Sequence, residues 1–480
     1  MGLFNTIRMG ASSAGDYEVE RSLRFNDDDT AYLERNVTSS SNRKTHTFSA
    51  WIKRCEFGDY HLIYTQGDNS GGEQFYMFFN NSDQIEMQQY DYPSNQGRLV
   101  TTQVFRDPSA WYHIVMRVDT TNSTADDRFR IYVNGEQITS FGTRDNPTQN
   151  LDTWINDTTY NFRIGATGFD GMKMDGYMTE INFIDGLSLD PSYFGETNAD
   201  TGQWNPKKYT GSYGTNGFYL NFSDNSGTTA TTLGKDSSGN GNNFTPNNFV
   251  TGDAVKDSPT NNFATLMIAG TPKASGCSLK EGNLEFETGT TGSGGNGNRL
   301  PFNTISPTSG KWYVEVMPTT TDSIFIGVHT YQVEIVPTSG STRWQGLYSY
   351  NGESYLASTS STASNSTYAA SYGNNDVIGI YMDMDASPPQ VYFAKNGQWA
   401  NGSGSWNQST PTGAITLGGT FFTTSTGGFE GIGINIRSAS SSTNTSAQAN
   451  FGQDSTFSGR ISAGGNVDAS GIGDFKYTVP

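Results

Sequence analysis

The stretch from Trp111 to Ile138 decides the fold of this chain. It reads Trp111-Tyr-His-Ile-Val-Met-Arg-Val-Asp119, then a polar loop, then Arg128-Phe-Arg-Ile-Tyr-Val-Asn-Gly-Glu-Gln-Ile138. Both flanks are short runs rich in aromatic and β-branched residues, which is typical of buried strands. The pair Asn134-Gly135 suits the positive φ angles of a tight hairpin turn. The stretch therefore predicts two buried β-strands, the second of which ends in such a turn.

The same plan returns far downstream. Asp376-Val-Ile-Gly-Ile-Tyr-Met-Asp383 leads through a loop with two prolines to Gln390-Val-Tyr-Phe-Ala-Lys-Asn-Gly397. Two copies of strand, Asp, polar loop, strand and Asn-Gly indicate two β-sandwich domains of related build. No long amphipathic helical period is found between them. The sequence therefore predicts an all-β chain.

Composition and charge exclude several classes of partner. The chain has 480 residues, enough for about two to four domains, and a formal net charge of −18. Such a charge argues against nucleic acid, which requires a basic surface, and against anionic membranes. Cys55 and Cys277 fall in different predicted domains, which argues against a disulfide framework. Neither a signal-peptide core nor a membrane-spanning run is visible, so synthesis in a reducing cytoplasm is expected.

Residues 1–21 are predicted to be an N-terminal docking arm. Their apolar side chains are Leu3, Phe4 and Ile7, followed by a run of Gly, Ala and Ser. The opening Met1-Gly-Leu-Phe-Asn-Thr6 also fits the myristoylation pattern. We favour the interpretation that this arm docks onto another protein subunit.

Residues 22–196 consist of predicted strands. They resemble the laminin-G-like members of the concanavalin A-like lectin/glucanase superfamily. The motifs that carry the resemblance are Phe48-Ser-Ala-Trp-Ile-Lys53, Trp111-Tyr-His-Ile-Val115, Arg130-Ile-Tyr-Val-Asn-Gly135, Ile164-Gly165 and Asp175-Gly-Tyr-Met-Thr-Glu-Ile-Asn-Phe-Ile-Asp-Gly186. The resemblance implies a two-sheet jelly roll with rim loops that often bind carbohydrate or protein. The cysteine pair common in animal laminin-G domains is absent.

The remainder divides into a connector, a second sandwich and a tail. Residues 197–275 are turn-rich with irregular strands, and residues 458–480 form a Gly-rich tail that we expect to be extended. Residues 276–457 resemble the SPRY family, through Lys311-Trp-Tyr-Val-Glu315, Ile326-Gly-Val328, Asp376 to Asp383, Phe393-Ala-Lys-Asn-Gly397 and Asn450-Phe-Gly-Gln453. That resemblance implies a bent, non-catalytic β-sandwich that binds partners through its rim loops. The predicted fold is thus two jelly-roll sandwiches joined by a connector.

Glu180-Ile-Asn-Phe-Ile-Asp185 raises the question of catalysis. Retaining glucanases of the same superfamily carry Glu-x-Asp-x-x-Glu, with one carboxylate as nucleophile and another as acid/base. Here Asn182 replaces the middle Asp, and Asp185 is one methylene shorter than the last Glu. Catalytic geometry tolerates less than that change. We therefore expect no catalytic residue and no enzyme activity.

Two loops are candidate binding sites. Asp236, Ser238, Asn240 and Asn242 offer oxygen atoms at every second position, as calcium loops do, but Asn247 stands where the bidentate Glu is required. A hydrogen-bonded turn is the competing interpretation; no other cofactor is predicted. Tyr90, Asp91 and Tyr92 are predicted in a rim loop, where the rings could stack on sugars or form a protein interface. The histidines lack zinc spacing, and we expect His113 to be a packing residue.

The order of arm, sandwich, connector, sandwich and tail resembles virion structural proteins of marine bacteriophages. This resemblance implies a fibre, knob or head decoration made in the bacterial cytoplasm and displayed on the virion surface. The arm would contact other virion proteins, and the protein would be a homo-oligomer without membrane insertion. Two functions remain open: a display protein that binds host-surface glycan or protein, and an architectural capsid or tail component. A glucanase-like depolymerase is a weaker third.

Overall fold

The computed structural model describes thirteen ranges of the chain: 17–68, 70, 72–168, 171–268, 277–287, 301–320, 324–330, 344–348, 354–358, 361–365, 368–417, 432–438 and 444–480. It divides into two compact units between Asn262 and Phe263, here called the N-terminal unit and the C-terminal unit. The predicted docking residues Leu3, Phe4 and Ile7 lie outside the described residues.

The described residues of the N-terminal unit form eighteen strands. They are β1 (Ser22–Phe25), β2 (Tyr32–Arg35), β3 (Thr45–Arg54), β4 (His61–Gly67), β5 (Glu73–Phe79), β6 (Gln84–Asp91), β7 (Ser94–Val104), β8 (Trp111–Asp119), β9 (Phe129–Val133), β10 (Glu136–Gln137), β11 (Phe141–Asp145), β12 (Phe162–Ile164), β13 (Gly176–Asp185), β14 (Gly195–Thr197), β15 (Trp204–Pro206), β16 (Phe218–Leu220), β17 (Thr245–Asn247) and β18 (Ala254–Val255). Three single-turn 3-10 helices lie at Ala125–Asp127, Pro191–Tyr193 and Thr251–Asp253.

Sixteen of these strands form two eight-stranded antiparallel sheets, and β14 and β15 pair with each other as a separate hairpin. The first sheet has the order β10-β9-β8-β3-β13-β1-β18, with β16 paired to β13; the second has the order β11-β7-β6-β5-β4-β12-β2-β17. The predicted strands around Trp111 pair as β8 and β9, with Val118 opposite Phe129. Asn134 and Gly135 have φ angles of 49° and 85°, as a two-residue hairpin turn requires. The predicted all-β sandwich is confirmed.

Alternating residues fill the space between the two sheets. Most inward positions of β3 and β8 are apolar and fully buried, with the buried ring of His46 as a polar exception, and across the interface Phe48 stacks on Tyr64 with ring centroids 4.1 Å apart. Burial of each such side chain contributes about 1.5–3 kcal/mol. The alternation of period two therefore determines which face of each strand meets the core.

The outer face of the first sheet is also covered. Trp51 and Tyr177 pack there with Val255 and Trp204, and Val115 and Tyr132 pack nearby with Phe194 and Tyr209. Residues 197–262, which the sequence assigns to a connector, thus supply β15 to β18 and complete the N-terminal unit. The cover is needed because the outward positions of β3 and β8 carry large aromatic rings as well.

The C-terminal unit contains sixteen described strands. They are β19 (Leu266–Met267), β20 (Ser278–Lys280), β21 (Glu285–Glu287), β22 (Phe302–Asn303), β23 (Lys311–Pro318), β24 (Ile324–Thr330), β25 (Trp344–Tyr348), β26 (Ser354–Ser358), β27 (Ser361–Asn365), β28 (Ile378–Asp383), β29 (Gln390–Lys395), β30 (Gln398–Ala400), β31 (Trp406–Gln408), β32 (Ile415–Thr416), β33 (Ile432–Ser438) and β34 (Ser446–Asn450). Within the described ranges no helix has the length and apolar character to cross a membrane.

A second sandwich forms from two of its sheets. One has the order β20-β21-β34-β23-β28-β29-β30-β31, with β32 paired to β29, and the other β27-β26-β25-β24-β33. Val316 and Ile326 belong to the shared core. The predicted repeat of the hairpin plan appears here as β28 and β29, with Ile380 opposite Phe393.

The predicted extended tail, residues 458–480, packs onto the same unit. Phe475 is fully buried and meets Tyr313 of β23 with ring centroids 5.3 Å apart. Glu315 of β23 accepts hydrogen bonds from the backbone N–H groups of Lys476 and Tyr477, both at 2.8 Å. The tail is therefore held by specific contacts.

Candidate functional site

The candidate site is built around two carboxylates that lie opposite each other on neighbouring strands. Glu73, at the start of β5, lies opposite Asp91, at the end of β6. Side chains of directly opposed residues in an antiparallel pair lie close together. This pair marks one rim of the N-terminal unit, where the β4–β5 and β6–β7 turns meet.

Each carboxylate anchors one aromatic ring from a distant loop. The indole N–H of Trp154 donates to Asp91 Oδ1 at 2.6 Å, and the hydroxyl of Tyr160 donates to Glu73 Oε2 at 2.6 Å. The hydrogen bond to Glu73 raises the pKa of Tyr160 to about 12. The two rings meet edge to face, with centroids 5.6 Å apart. Both rings are only partly buried, so they present apolar surface beside fixed polar groups.

An arginine supports the indole from another segment. The guanidinium carbon of Arg43 lies 5.3 Å from the Trp154 ring centroid, a cation–π contact. Its position is set by Asp157 Oδ2 at 2.8 Å from Nη1 and by the carbonyl of Thr153, which accepts from Nε at 2.7 Å. These contacts preorganise the Trp154 ring.

Tyr92 follows Asp91 directly, at the β6–β7 turn. Its side chain is 78% exposed, while its backbone N–H donates to the carbonyl of Gly72 at 2.7 Å. We call Glu73, Asp91, Tyr92, Trp154 and Tyr160 the aromatic rim patch. A fixed backbone carrying an exposed ring is suited to ligand contact, because little backbone ordering remains on binding.

The sequence located part of this patch. It singled out Tyr90, Asp91 and Tyr92, and the structure places all three at the end of β6 and in the following turn, with Tyr90 partly buried opposite Asn95. It missed Trp154 and Tyr160, which lie about sixty residues further along the chain. The only sequence signal for them is aromatic residues in a turn-rich loop, a signal many other loops of this chain share.

The predicted calcium loop forms a closed set of hydrogen bonds. Asp236 accepts from the backbone N–H of Tyr219, Ser238 and Asn242 at 2.8–2.9 Å and from the hydroxyl of Ser238 at 2.8 Å. The amide groups of Asn240 and Asn242 both donate to the carbonyl of Gly217 at 2.9 Å. Calcium at this loop remains a prediction.

A second carboxylate group lies at the turns before β2, β4 and β13. Oxygen atoms of Asp27, Glu56 and Asp175 lie within 4.8 Å of one another. Burial raises the pKa of Asp27, and the nearby Glu56 adds to that effect. These are the described carboxylates whose spacing could hold a divalent cation.

Glu180, the residue compared with a glucanase nucleophile, is enclosed. Its side chain is 5% exposed; its oxygens accept from the hydroxyls of Tyr219, at 2.6 Å, and Tyr17, at 2.9 Å. Asn182 accepts from the hydroxyl of Tyr213 at 2.9 Å. Because both carboxylate oxygens are occupied beneath tyrosine rings, a sugar has no path to Glu180 in this arrangement.

The protons at Glu180 can be counted. The hydroxyls of Tyr17 and Tyr219 also lie 2.6 Å apart, so the three groups make three short O···O contacts. Two hydroxyls supply two protons, and a third is needed to close the ring of hydrogen bonds. Burial raises the pKa of Glu180 to about 7, while the bonds from Tyr219 and Tyr17 oppose that rise. Both observations indicate that Glu180 supplies the third proton below neutral pH.

Comparison with known proteins agrees with this fold. Residues 26–189 match the family model described as the concanavalin A-like lectin/glucanases superfamily. The N-terminal unit has the concanavalin A-like, laminin-G fold. No curated protein matches the chain.

Three solved structures are similar to parts of the chain. They are a candidate carbohydrate-binding protein from Bacteroides ovatus (18% identity, 48% of this chain, 59% of that chain, TM-score 0.33), the mouse laminin alpha1 LG4-5 domains (9%, 92%, 84%, 0.30) and the SPRY domain of human HERC1 (14%, 36%, 92%, 0.25). The first match spans less than two thirds of the Bacteroides protein. At these TM-scores the likenesses carry no argument about ligands, and the fold assignment rests on the family match and the strand order.

Proposed function

We propose that this chain is a non-catalytic glycan-binding protein whose ligand lies on the aromatic rim patch. The observation that carries the proposal is the Trp154–Tyr160 ring pair, with each ring fixed by a carboxylate of the Glu73–Asp91 pair. Partly exposed rings offer an apolar face to the C–H groups of a pyranose. The neighbouring carboxylates and Arg43 supply acceptors and donors for hydroxyl groups.

The surroundings of Glu180 support a binding role over a catalytic one. Concanavalin A-like sandwiches place ligand sites on surface loops as well as on sheets. The residue that corresponds to a glucanase nucleophile, Glu180, is enclosed by Tyr17 and Tyr219. A depolymerase reaction at this strand would require both tyrosines to leave.

Replacing the exposed ring is the test of the proposal. Tyr92→Ala should weaken binding to the preferred glycan of an array about ten-fold, because an exposed contact ring of a binding site typically carries that much affinity. Trp154→Phe should weaken it as well, since it removes the donor to Asp91. Both variants should keep a wild-type melting temperature within a few degrees.

The matched control is Tyr193→Ala. Tyr193 is 50% exposed and belongs to the same unit, but it lies in the 3-10 helix after β13 and contacts Tyr209 at 6.4 Å between ring centroids. Binding should be unchanged in this variant. Equal affinity of Tyr92→Ala and the wild type would contradict the proposal.

The setting that we propose is the surface of a bacteriophage particle, with the N-terminal arm attached to other virion proteins and the protein present as a homo-oligomer. Support comes from the order of the sequence segments and the apolar start Leu3, Phe4 and Ile7. Deletion of residues 1–14 should abolish incorporation into particles, measured by immunoblotting of purified virions. Normal incorporation of the deletion variant would refute the docking role.

A further inference from the structure

We infer that the aromatic rim patch selects glycans without acidic groups, and that it binds amino sugars carrying a free ammonium group most tightly. This inference rests on the proposed function and adds the chemical class of the ligand. This selectivity is inferred from the distribution of charged side chains around the Trp154 and Tyr160 rings.

Two of the five carboxylates near the rings are matched by cations. Arg43 Nη1 lies 2.8 Å from Asp157 Oδ2, and Lys44 Nζ lies 3.9 Å from Asp152 Oδ1. These four side chains cancel one another in net charge. In the part of the chain that the structure describes, neither Arg43 nor Lys44 is thus left unpaired beside the rings to attract a carboxylate, sulfate or phosphate of a ligand.

The other three carboxylates have no cationic partner among the described residues. Asp68, Glu73 and Asp91 form no ion pair with a side chain in the described part of the chain. Their hydrogen bonds come from uncharged donors, namely Ser70 Oγ and Gly72 N for Asp68, Tyr160 Oη for Glu73 and Trp154 Nε1 for Asp91. Because these donors are uncharged, they do not balance the formal negative charge of the carboxylates.

A sugar seated on the rings therefore meets a negative field. Asp91 and Glu73 each bond directly to a ring of the patch, so a ligand on the rings lies within a few ångströms of both, well inside the Debye length of about 8 Å at physiological ionic strength. The formal net charge of −18 adds repulsion at longer range. An acidic sugar is repelled by these charges, and an ammonium group is attracted by them.

Two matched ligand pairs test this selection on the full chain by isothermal titration calorimetry. The first pair is N-acetylated chitotriose against its deacetylated trimer, and the second is lactose against 3′-sialyllactose. At low salt the deacetylated trimer should bind about five-fold tighter than its partner, and sialyllactose about five-fold weaker than lactose. Both ratios should shrink in 0.5 M salt, because exposed charges are then screened within about 3–4 Å.

A charge-neutralised variant tests whether the two affinity ratios depend on the carboxylates of the patch. Glu73→Gln combined with Asp91→Asn keeps an oxygen acceptor for Tyr160 and for Trp154 but removes two charges, so both ratios should approach one. The control combines Glu136→Gln with Asp200→Asn, which removes the same charge from exposed positions outside the patch, and its ratios should match the wild type.

The results of these experiments distinguish a failure of the charge selectivity from a failure of glycan binding itself. Sialyllactose binding as tightly as lactose, or ratios unaffected by the patch variant, would overturn the charge selection while leaving glycan binding intact. Binding of none of the four ligands, and of no glycan on an array, would overturn the proposed function itself.

Discussion

Two buried glutamates differ in the donors that surround them. Among the described residues, the side-chain partners of Glu180 are hydroxyl groups, which can donate or accept, whereas each oxygen of Glu315 accepts a backbone N–H, from Lys476 or Tyr477. Burial raises the pKa of both carboxyls to about 7, and hydrogen bonds oppose the rise. A backbone N–H cannot accept a hydrogen bond, so the surroundings of Glu315 favour a carboxylate more than those of Glu180 do, where the hydroxyls can also accept.

Glutamine substitution distinguishes the two sites. In Glu180→Gln the amide replaces the O–H donor and closes the same ring, so the free energy of unfolding at pH 6 should change by less than about 1 kcal/mol. In Glu315→Gln the amide N–H₂ faces a backbone N–H, and the loss should be about 1–3 kcal/mol. Thermal and denaturant unfolding of both variants measures this difference. An equal loss at both positions would contradict the proton count.

The pH dependence follows from the raised pKa of Glu180. The folded state holds a proton that the unfolded state releases near pH 4.5, so this stabilisation is complete below pH 4.5 and is lost as pH rises through about 7. Glu180→Gln removes the dependence. The melting temperature of the wild type relative to Glu180→Gln should therefore fall by roughly 5 °C between pH 5 and pH 8. A constant difference across that range would show that Glu180 does not titrate there.

The hairpin formed by β14 and β15 covers part of the outer face of the first sheet. Trp204 donates its indole N–H to His113 Nδ1 at 2.9 Å and stacks over that ring, while His113 contacts Ser49 Oγ through Nε2 at 2.9 Å. Because indole can only donate, His113 is the neutral tautomer with its proton on Nε2. Burial lowers the pKa of His113 to about 3.

Removing the covering ring should expose this histidine. Trp204→Ala should cost about 2–4 kcal/mol of stability, since it removes a large packed ring, and should raise the pKa of His113 toward its usual value near 6.5. An NMR titration of the histidine ring protons measures the change. Trp204→Phe keeps most of the cover and should leave the pKa low; a rise of equal size in both variants would show that the ring is not the barrier to water.

The sequence determines the central strands more clearly than it determines the cover. In β3 and β8 the alternation of Phe48, Ala50 and Ile52 with polar or aromatic neighbours predicts strands directly. By contrast, β16, β17 and β18 are two or three residues long, so no period can be seen in them. Their pairing depends on long-range contacts, which local pattern does not reveal.

The aromatic rim patch could likewise be predicted only in part from local sequence pattern. Tyr92 could be assigned to a turn from its neighbours, but Trp154 and Tyr160 reach it only through the folded sandwich. Glu73 and Asp91 become partners because β5 and β6 pair in one particular register. A register shift by one residue would turn the two carboxylates to opposite faces.

For the whole molecule, the position of the boundary between the two units predicts which N-terminal fragments of the chain will be stable. Lys53 Nζ lies 2.8 Å from Asp257 Oδ2 with both side chains fully buried, and buried Arg24 lies 2.9 Å from Asp253. A fragment that ends at residue 196 keeps both cations and loses both carboxylates, which should cost about 3–5 kcal/mol for each pair. A fragment that ends at residue 262 keeps the pairs and the cover.

The two fragments should therefore behave differently. Residues 17–262 should unfold in one cooperative thermal transition, and residues 17–196 should aggregate or lack such a transition. Circular dichroism melts of both fragments, with the full chain as reference, make the comparison. A cooperative and stable 17–196 fragment would contradict the assignment of residues 197–262 to the N-terminal unit's cover.

Saturation-transfer difference NMR on the full chain tests the proposed glycan site most directly. Saturation of the protein's aromatic protons should pass to the ring C–H protons of a bound neutral or amino-sugar oligomer, with the strongest transfer on one face of one pyranose. The transfer should fall several-fold in Tyr92→Ala, in line with its weaker binding, and should be retained in Tyr193→Ala. Transfer of equal strength in the wild type and Tyr92→Ala would place the glycan elsewhere and contradict the site.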